Sequence, residues 1–425
     1  MSVEAITLGC RLNFAESETM KTLAPAGEDW TVVNSCAVTA EAVRQTRQAI
    51  RRARKSRPDA RILVTGCAAQ LDPESFTAMP EVDRVVGNAE KLLSPFASSL
   101  SARPAAPLGI NFVERRPRIR VSTSLDTNGS EGGDVIPSTP VPAGFLSRVR
   151  SFVAIQTGCD HRCTFCTIWQ ARGPSISLPF EAIRDAIARE IDQGAKEIAL
   201  TGVDITSYDS GLGPLCQRLF AALPRLQRLR LSSLDSIEID PALHELIAAE
   251  PRLMPHFHLS LQAGDDMILK RMKRRHSRAD AVRTIHRIKA ARPDATIGAD
   301  LIAGFPTETE EMAINSLKLL DDCDIIAAHI FPFSPRPNTP AARMPQLERE
   351  IVKARATRLR DAAARRRTAW LQSLVGTTQP VLIENKEKGH TDNFAPVHIA
   401  GSRKGDSGLA RITGLSDGQL TGAWT

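Results

Sequence analysis

Three cysteines within one short segment carry the strongest chemical signal in the sequence. Cys159, Cys163 and Cys166 have a C-x3-C-x2-C spacing in the segment QTGCDHRCTFC. Three thiolates this close form one metal site, and no fourth cysteine follows at ferredoxin spacing. A 4Fe-4S cluster held by three cysteines leaves one iron open to a substrate or cofactor. The alternative is a zinc site that His161 completes.

Three further cysteines stand at the ends of strand-like segments near the N-terminus. Cys10 ends TLGC, Cys36 ends VVNSC and Cys67 ends VTGC. Predicted strands at 6–10, 31–36, 61–67 and 84–87 alternate with helical patterns, which is typical of a parallel sheet. Because ligands collect beyond the carboxyl ends of parallel strands, these thiols can converge on one spot. Each of them alone could equally be a small buried hydrophobic side chain.

The segment from 151 to about 335 must position the first cysteine set. Strands are predicted at 152–157, 197–203, 228–233, 256–262, 297–302 and 325–331, with helices between them. A closed eight-fold barrel needs ~250 residues, so the shorter segment predicts six βα units in an open, partial barrel. Polar residues near the strand ends are predicted to line a cofactor pocket around the cluster: Gly202, Asp204, Ser233, Gln262 and Asp300.

Two basic segments are candidates for contact with nucleic acid. The helix predicted at 39–55 carries six cations, and within the helix only Glu41 opposes them. A long Arg-rich helix is predicted after Arg343 and ends near Trp370. Strand-like pieces at 378–384, 395–399 and 409–413 then predict a small β-barrel of the oligonucleotide-binding kind, with a purely structural cap as the alternative.

The sequence therefore predicts an α/β protein in four parts. An N-terminal parallel α/β domain spans 1–100, and a linker rich in Pro, Gly and Ser spans 101–148. An open, partial (βα)6 barrel of the TIM type, with the basic helix at its end, spans 149–370, and a small β-barrel spans 371–425. Cys216 and Cys323 lie among apolar neighbours in helical stretches and are predicted to be core residues.

Composition limits the classes of protein to consider. The chain has 425 residues, is 42% hydrophobic and carries a formal net charge of +7. It contains no apolar run long enough to span a membrane and no signal-peptide pattern, so we expect a cytoplasmic protein without a membrane partner. In such a protein the cysteines are expected to bind metal rather than to form disulfides. The positive charge permits binding of nucleic acid.

Taken together, the motifs resemble those of radical S-adenosylmethionine methylthiotransferases. TLGCRLNFAESE and VTGCAAQ resemble the N-terminal domain of that family, and EIALTGVDITSYD and GADLIAGFPTETEE resemble its barrel. The resemblance implies S-adenosylmethionine and two 4Fe-4S clusters, one on Cys159, Cys163 and Cys166 and the other on Cys10, Cys36 and Cys67. It also implies that the C-terminal barrel is a TRAM domain, an RNA-binding module.

Within the family, SSLDSIEID and FPFSPRPNTPAARMP resemble the branch that acts on N6-threonylcarbamoyladenosine beside the tRNA anticodon. The product would carry a methylthio group on C2 of that base. Sister branches act on isopentenyladenosine in tRNA or on an aspartate of a ribosomal protein. The resemblance further implies an electron donor such as flavodoxin or ferredoxin, and we expect a monomer. A hypothesis from another class is an iron–sulfur electron carrier or a redox-sensing RNA-binding protein without turnover.

Two positions depart from the family pattern, and the substrate poses one further question. Trp169 stands where the family usually has Pro, and Ile176 stands where Arg is common. The threonylcarbamoyl group carries a carboxylate, so a cation should lie near it. Arg172, Lys273 and Arg336 are candidates, and the sequence does not choose among them.

Overall fold

The computed structural model describes residues 3–25, 27–93, 95–96 and 148–425. The predicted linker at 101–148 therefore lies outside the described residues, apart from Arg148. The N-terminal part is a parallel sheet with strand order β1-β2-β3-β4, as predicted. Its elements are β1 (Glu4–Thr7), α1 (Arg11–Leu23), β2 (Trp30–Ser35), α2 (Ala40–Ser56), β3 (Arg61–Gly66), α3 (Cys67–Leu71), α4 (Pro73–Thr77) and β4 (Arg84–Val85).

The central part confirms the open barrel of six parallel strands. Strands β5, β8 and β9 form one sheet and β10, β11 and β12 another, and two isolated parallel bridges join β9 to β10. The short strands β6 and β7 form a separate antiparallel pair. The elements are β5 (Arg150–Ala154), β6 (Gln156–Thr157), α5 (Ile168–Arg172), β7 (Ile176–Ser177), α6 (Phe180–Asp192), β8 (Glu197–Thr201), α7 (Leu212–Ala222), β9 (Leu229–Leu231), α8 (Pro241–Ala249), β10 (His256–Gln262), α9 (Asp266–Met272), α10 (Arg278–Ala291), β11 (Thr296–Ala303), α11 (Glu310–Asp322) and β12 (Ile325–Pro332).

Alternation along the barrel strands separates an apolar layer from a polar interior. In β10, Phe257, Leu259 and Leu261 are buried in the main core with apolar side chains of the surrounding helices. The side chains between them are half-buried, including those of His256 and His258. Since successive side chains of a strand point to opposite faces, the histidines lie on the inner face of the barrel. Cys216 and Cys323 are fully buried in the same core, as predicted.

The C-terminal part is a closed five-stranded barrel that follows the long basic helix. The strand order is β13-β14-β15-β17-β16. The sequence missed β14 and β17, because both are short or contain glycine and lack a clear apolar alternation. The elements are α12 (Arg349–Leu374), β13 (Thr378–Asn385), β14 (Lys388–Thr391), β15 (Pro396–Ile399), β16 (Ser407–Ser416) and β17 (Gln419–Trp424).

This barrel closes the amino ends of the partial barrel's strands through the loop between β14 and β15. Phe394 in that loop stacks on His256, with ring centroids 5.1 Å apart. The guanidinium groups of Arg150 and Arg230 lie 4.9 and 4.8 Å from the Phe394 ring. The loop is therefore anchored in the barrel interior by aromatic stacking and cation–π contacts.

Within α2 only Glu41 opposes the cations, but carboxylates from other segments pair with them as well. Three of its arginines form ion pairs with carboxylates from the segments that follow α3 and α4, which sequence distance had hidden. The pairs are Arg47–Asp72 at 3.7 Å, Arg51–Glu81 at 3.8 Å and Arg54–Asp83 at 2.5 Å. The helix is thus less available to RNA phosphates than its sequence indicates.

Across the described residues, none of the helices has the length and hydropathy needed to cross a membrane.

Candidate functional site

The loop after β6 carries the C-x3-C-x2-C cysteines, and glycine geometry shapes it. Gly158 has a φ of +76°, and a Cβ placed there would lie 1.7 Å from the carbonyl oxygen of Pro174. The amide of Cys159 donates to the carbonyl of Gly173 at 3.1 Å. The chain must therefore pass close to itself at the start of the loop, which only glycine permits.

The three thiols of this loop have different polar neighbours. Cys163 Sγ lies 3.7 Å from an Arg274 guanidinium nitrogen, and Cys166 Sγ accepts the amide of Ile168 at 3.3 Å. Burial raises the pKa of Cys159 to about 12 and that of Cys166 to about 11, so these two thiols are protonated at neutral pH when no metal is bound. Metal binding must displace these protons, because the ligand is the thiolate.

His161 does not complete a zinc site with the three cysteines. Its ring nitrogens face carboxylates instead, with Asp204 at 3.4 Å and Glu238 at 3.6 Å. A hydrogen bond to Glu238 is the main reason that the pKa of His161 is raised. Within the described part of the chain, the compact ligand groups around His161 include only Cys159 from the triplet. The zinc alternative is therefore not supported.

The strand-end cysteines converge at the edge of the N-terminal sheet. Cys10 caps α1, Cys36 follows β2, and Cys67 begins α3 directly after β3. Burial raises the pKa of Cys36 to about 11, and the thiols of Cys10 and Cys67 raise it further, which places the three within electrostatic reach. Cys10 itself is solvent-exposed, whereas Cys36 and Cys67 are buried. A Cβ on Gly9 would lie 2.7 Å from Cys36 Sγ.

Arg172, the last residue of α5, joins the two cysteine sets. Its Nε donates to Cys67 Sγ at 3.3 Å, and its terminal nitrogens donate to Glu16 at 2.8 and 3.0 Å and to Asn13 at 2.6 Å. Glu16 also pairs with the buried Lys91 at 2.6 Å. The Arg172 side chain is only 2% exposed and fully engaged. As a candidate for the substrate carboxylate it is therefore wrong, because its donors already serve this buried network.

The two cysteine sets face one another between the N-terminal sheet and the partial barrel. Burial is the main cause of the raised pKa of Cys166, and the thiols of Cys163 and Cys67 add to it. Cys67 belongs to the N-terminal set, and it packs in one apolar cluster with Ile168 and Ala171 of α5, the helix that follows the loop set. Residues that are distant in sequence thus form one composite site.

The predicted pocket residues have different surroundings. Asp204 Oδ2 lies 4.0 Å from Cys159 Sγ, beside the loop set. Gly202 packs on Gln156, whose carbonyl oxygen would be 2.8 Å from a Cβ at this position. Gln262 ends β10 at a bulge with a φ of +69°, and Ser233 is exposed. Their role in binding the cofactor stays a prediction.

Asp300 lies in the middle of β11 rather than at its end. Its Oδ1 is 2.9 Å from His258 Nε2 and 3.2 Å from His329 Nδ1. The two histidines come from the neighbouring strands β10 and β12, so sequence spacing could not reveal the group. These histidines hold Asp300 ionised on the inner face of the barrel, since their hydrogen bonds outweigh its burial and lower its pKa.

Trp169 and Ile176, which depart from the family pattern, have different environments. Trp169 lies beneath the guanidinium of Arg162, whose central carbon is 4.4 Å from the ring centroid. Ile176 is 54% exposed in β7.

The sequence missed the charged group that faces His161, which consists of Asp235, Glu238, Arg274 and Arg275. No local signal marks that group, because its members come from separate loops.

Comparisons with known proteins agree with this architecture. The model of the Radical SAM superfamily matches residues 153–320, and that of the uncharacterized protein family UPF0004 matches residues 2–87. Among solved structures, the radical S-adenosylmethionine methyltransferase TsrM from Kitasatospora setae superposes with a TM-score of 0.55. It shares 15% identity over 80% of this chain and 74% of its own, so the likeness concerns the fold alone.

Curated relatives match over nearly the whole length. A "Threonylcarbamoyladenosine tRNA methylthiotransferase MtaB" of Rickettsia prowazekii is 42% identical over 93% of this chain and 91% of its own. One of the same name from Thermotoga maritima is 31% identical over 98% and 95%. A "tRNA-2-methylthio-N(6)-dimethylallyladenosine synthase" of Cereibacter sphaeroides is 32% identical over 98% and 97%. The chain thus belongs to the radical S-adenosylmethionine methylthiotransferase family.

Proposed function

We propose that this protein adds a methylthio group to C2 of N6-threonylcarbamoyladenosine beside the tRNA anticodon. The observation that carries the proposal is the pair of facing cysteine sets between the sheet and the partial barrel. The 42% identity to a relative with this activity in its name supports the choice of substrate. An electron carrier needs neither two three-cysteine sites nor a polar barrel interior, so the non-enzymatic hypothesis is weaker.

The loop set fits a 4Fe-4S cluster and S-adenosylmethionine, which the superfamily uses. When bound, they supply the 5′-deoxyadenosyl radical that removes hydrogen from the base. Cys159, Cys163 and Cys166 would hold this cluster, and three ligands leave one iron for the cofactor. Arg274 would offset thiolate charge at Cys163. Gly202, Asp204, Ser233, Gln262 and Asp300 remain our candidates for contacts with the cofactor.

The N-terminal set fits a second cluster. Cys10, Cys36 and Cys67 would hold it, and the sulfur that is transferred would reach it from the side of Cys10, the exposed member of the set. Arg172 would donate a hydrogen bond to Cys67 and fix its orientation. Gly9 leaves room beside Cys36, where any side chain would collide. The proposal therefore assigns the radical to the barrel side and the sulfur to the sheet side.

The proposal also specifies partners. The substrate is tRNA, presented through the anticodon loop, whose unstacked bases can leave the stack at little cost. The C-terminal barrel and α12 would contact phosphates. A small electron-transfer protein such as flavodoxin or ferredoxin would reduce the cluster, and we propose a monomer that acts in the cytoplasm, where its tRNA substrate is found.

Mass spectrometry of tRNA nucleosides from cells that lack this protein tests the function. We expect loss of the 2-methylthio form of N6-threonylcarbamoyladenosine, with the isopentenyl counterpart retained. Re-expression of the wild-type chain should restore the product, whereas the matched Cys159→Ala variant should not. Loss of the isopentenyl product instead would favour the dimethylallyladenosine branch to which the Cereibacter relative belongs. Unchanged tRNA would reject both.

A further inference from the structure

One loop of the partial barrel spans the distance between the two cysteine sets. This bridging loop, residues 333–344, follows β12. Ala341 donates its amide to the carbonyl of Thr164, inside the loop set, at 3.0 Å. Ser334 accepts the amide of Ala40, at the start of α2 and close to Cys36, at 3.3 Å. The loop is therefore tied to the loop set at one point and to the start of α2 at the other, and Arg336 lies between these two contacts in the chain.

Arg336 lies between those two anchor points and has unused hydrogen-bonding capacity. Its Nε is buried without a hydrogen-bond partner, and its guanidinium forms no ion pair within the residues that the structure describes. Among the described residues, Cys36 lies close enough to interact electrostatically with Arg336 when its thiol is ionised. Its backbone is held in place, because Thr339 donates to the Arg336 carbonyl through its hydroxyl at 2.8 Å. A guanidinium carries five donors in a fixed fork, so this one is positioned to receive an acceptor.

Arg172 and Arg274 already donate hydrogen bonds to other groups, although the Nε of Arg274 is also buried without a partner, and Lys273 is exposed. Arg172 serves Glu16, Asn13 and Cys67. Arg274 donates to Asp235 at 2.9 Å and to the Ser260 carbonyl at 2.8 Å. Lys273 is exposed and ends α9 in a left-handed conformation. Of the three candidates from the sequence, the structure therefore favours Arg336.

We propose that Arg336 binds an oxyanion of the substrate nucleotide beside Cys36, in the space between the two cysteine sets. The oxyanion is either the carboxylate of the N6 substituent or a phosphate of the same strand, and both match the fork of a guanidinium. This inference rests on the proposed function, since it takes the substrate to be a modified tRNA nucleotide. Binding there would hold the base between the radical-generating side and the sulfur-bearing side.

Binding measurements on the anaerobic holoenzyme test the proposal without relying on turnover. The probes are anticodon stem-loop RNAs with N6-threonylcarbamoyladenosine, with its uncharged carboxamide analogue, or with unmodified adenosine. The variants are Arg336→Gln and Arg336→Lys, with Lys273→Gln as the rival cation. Arg225→Gln is the matched surface control, because its side chain is 71% exposed. Iron content and thermal unfolding establish that each variant is folded.

The two anion sources give different patterns. If the carboxylate is bound, wild type prefers the acid over the carboxamide by about ten- to a hundredfold, and Arg336→Gln loses that preference. If a phosphate is bound, Arg336→Gln weakens all probes by a similar factor and lowers the salt slope by about one. In both cases Arg336→Lys is intermediate, and the control matches wild type.

Other results would overturn the inference. Equal affinities of Arg336→Gln and wild type for every probe would show that this side chain binds no substrate anion. A loss confined to Lys273→Gln would transfer the role to Lys273. These results leave the proposed function intact, because the wild-type protein still binds tRNA probes. Failure of wild type to bind any stem-loop would instead reject the function together with the inference.

Discussion

The two ends of the partial barrel differ in the polar groups that they hold. At the amino ends of the strands, Glu197 is fully buried and forms ion pairs with Arg228 at 3.0 Å, with Arg230 at 2.8 Å and with Arg150. Phe394 covers this group from the C-terminal barrel. At the carboxyl ends lie the two cysteine sets, and the Nε of Arg336 is buried without a hydrogen-bond partner. The amino end, here called the lower end, holds a buried carboxylate that is paired with three arginines, whereas the carboxyl end, here called the upper end, holds thiols that can bind metal.

This difference teaches where stability and chemistry reside. Barrel enzymes place catalytic groups at the carboxyl ends of the strands, and the amino ends serve stability. The C-terminal barrel contributes to that stability directly, because the Asn393 carbonyl accepts the Thr296 hydroxyl at 2.8 Å. The structural-cap alternative thus has contacts in its favour, and RNA binding by the same barrel stays a prediction. The comparison predicts that variants at the two ends lose different properties.

The largest effects are expected from the cysteines of the upper end. The anaerobically reconstituted protein should hold about eight irons, from two three-cysteine clusters. Replacing Cys159, Cys163 and Cys166 together by Ala should halve the iron and abolish cleavage of S-adenosylmethionine. Iron analysis and detection of 5′-deoxyadenosine check both.

The triple Ala variant of Cys10, Cys36 and Cys67 is the matched control. It should also lose half of the iron, but it should still cleave S-adenosylmethionine and fail only in forming the methylthio product. Full iron content in this variant would rule out the second cluster. Neither triple variant should unfold the chain, because the lower end of the barrel is untouched.

The lower end should show the reverse pattern. Glu197→Ala leaves three arginines around a buried site without their carboxylate, so we expect a loss of about 3–5 kcal/mol in the free energy of unfolding. Cleavage of S-adenosylmethionine per folded molecule should be unchanged. Asp192→Asn is the surface control, because the Asp192–Arg225 pair is exposed and should contribute less than about 1 kcal/mol. Urea unfolding measures the free energy of unfolding of both variants. Equal losses of stability in Glu197→Ala and Asp192→Asn would contradict the comparison.

The upper end was largely predictable from sequence, and the lower end was not. Both cysteine sets follow from local spacing and from the rule that parallel strands end at one edge, and the six barrel strands follow from alternation. Glu197 and Phe394 instead sit in unremarkable segments, and their partners come from other strands and from another barrel. Such contacts depend on tertiary packing, which periodicity does not encode.

The same limit applied inside the site. Arg172 was visible as a cation after the triplet, but its donation to Cys67, more than a hundred residues away in sequence, was not. The Asp300 group requires the register of three neighbouring strands. The choice among Arg172, Lys273 and Arg336 likewise depends on the exposure of each side chain and on its hydrogen-bond and ion-pair partners, which only the folded chain provides.

An intermediate effect is expected from Arg172, which forms a buried ion pair with Glu16 at the upper end. Arg172→Lys keeps the positive charge beside Glu16 but loses the fork that also reaches Cys67 and Asn13. We expect a loss of about 1–3 kcal/mol in stability, because buried acceptors lose their charged donor. The reduction potential of the N-terminal cluster should fall, since hydrogen bonds to the sulfurs help to set it. Redox titration followed by EPR measures the potential.

The matched control for Arg172→Lys is Arg162→Lys, on the exposed side of the loop set. It should leave both stability and the potential of the N-terminal cluster unchanged. An unchanged potential in Arg172→Lys would show that the contact with Cys67 is only structural. The Arg172 network would then only stabilise the fold, as the ion pairs around Glu197 do at the lower end.

The smallest effect concerns pH at the lower end. Burial alone would raise the pKa of Glu197, but the charges of Arg230, Arg150 and Arg228 outweigh it and hold the pKa well below its usual range. A carboxyl with a depressed folded pKa contributes stability that is fully present above its unfolded value, near 4.3, and is lost as pH falls below it. The wild-type advantage over Glu197→Gln should therefore be constant between about pH 7 and pH 5. Below this range it should shrink by at most about 1.4 kcal/mol per pH unit. Urea unfolding of the metal-free proteins at a series of pH values measures the difference without a contribution from acid loss of iron. A wild-type advantage that grows as pH falls would mean that Glu197 is protonated in the folded protein, and the ion-paired lower end would have to be abandoned.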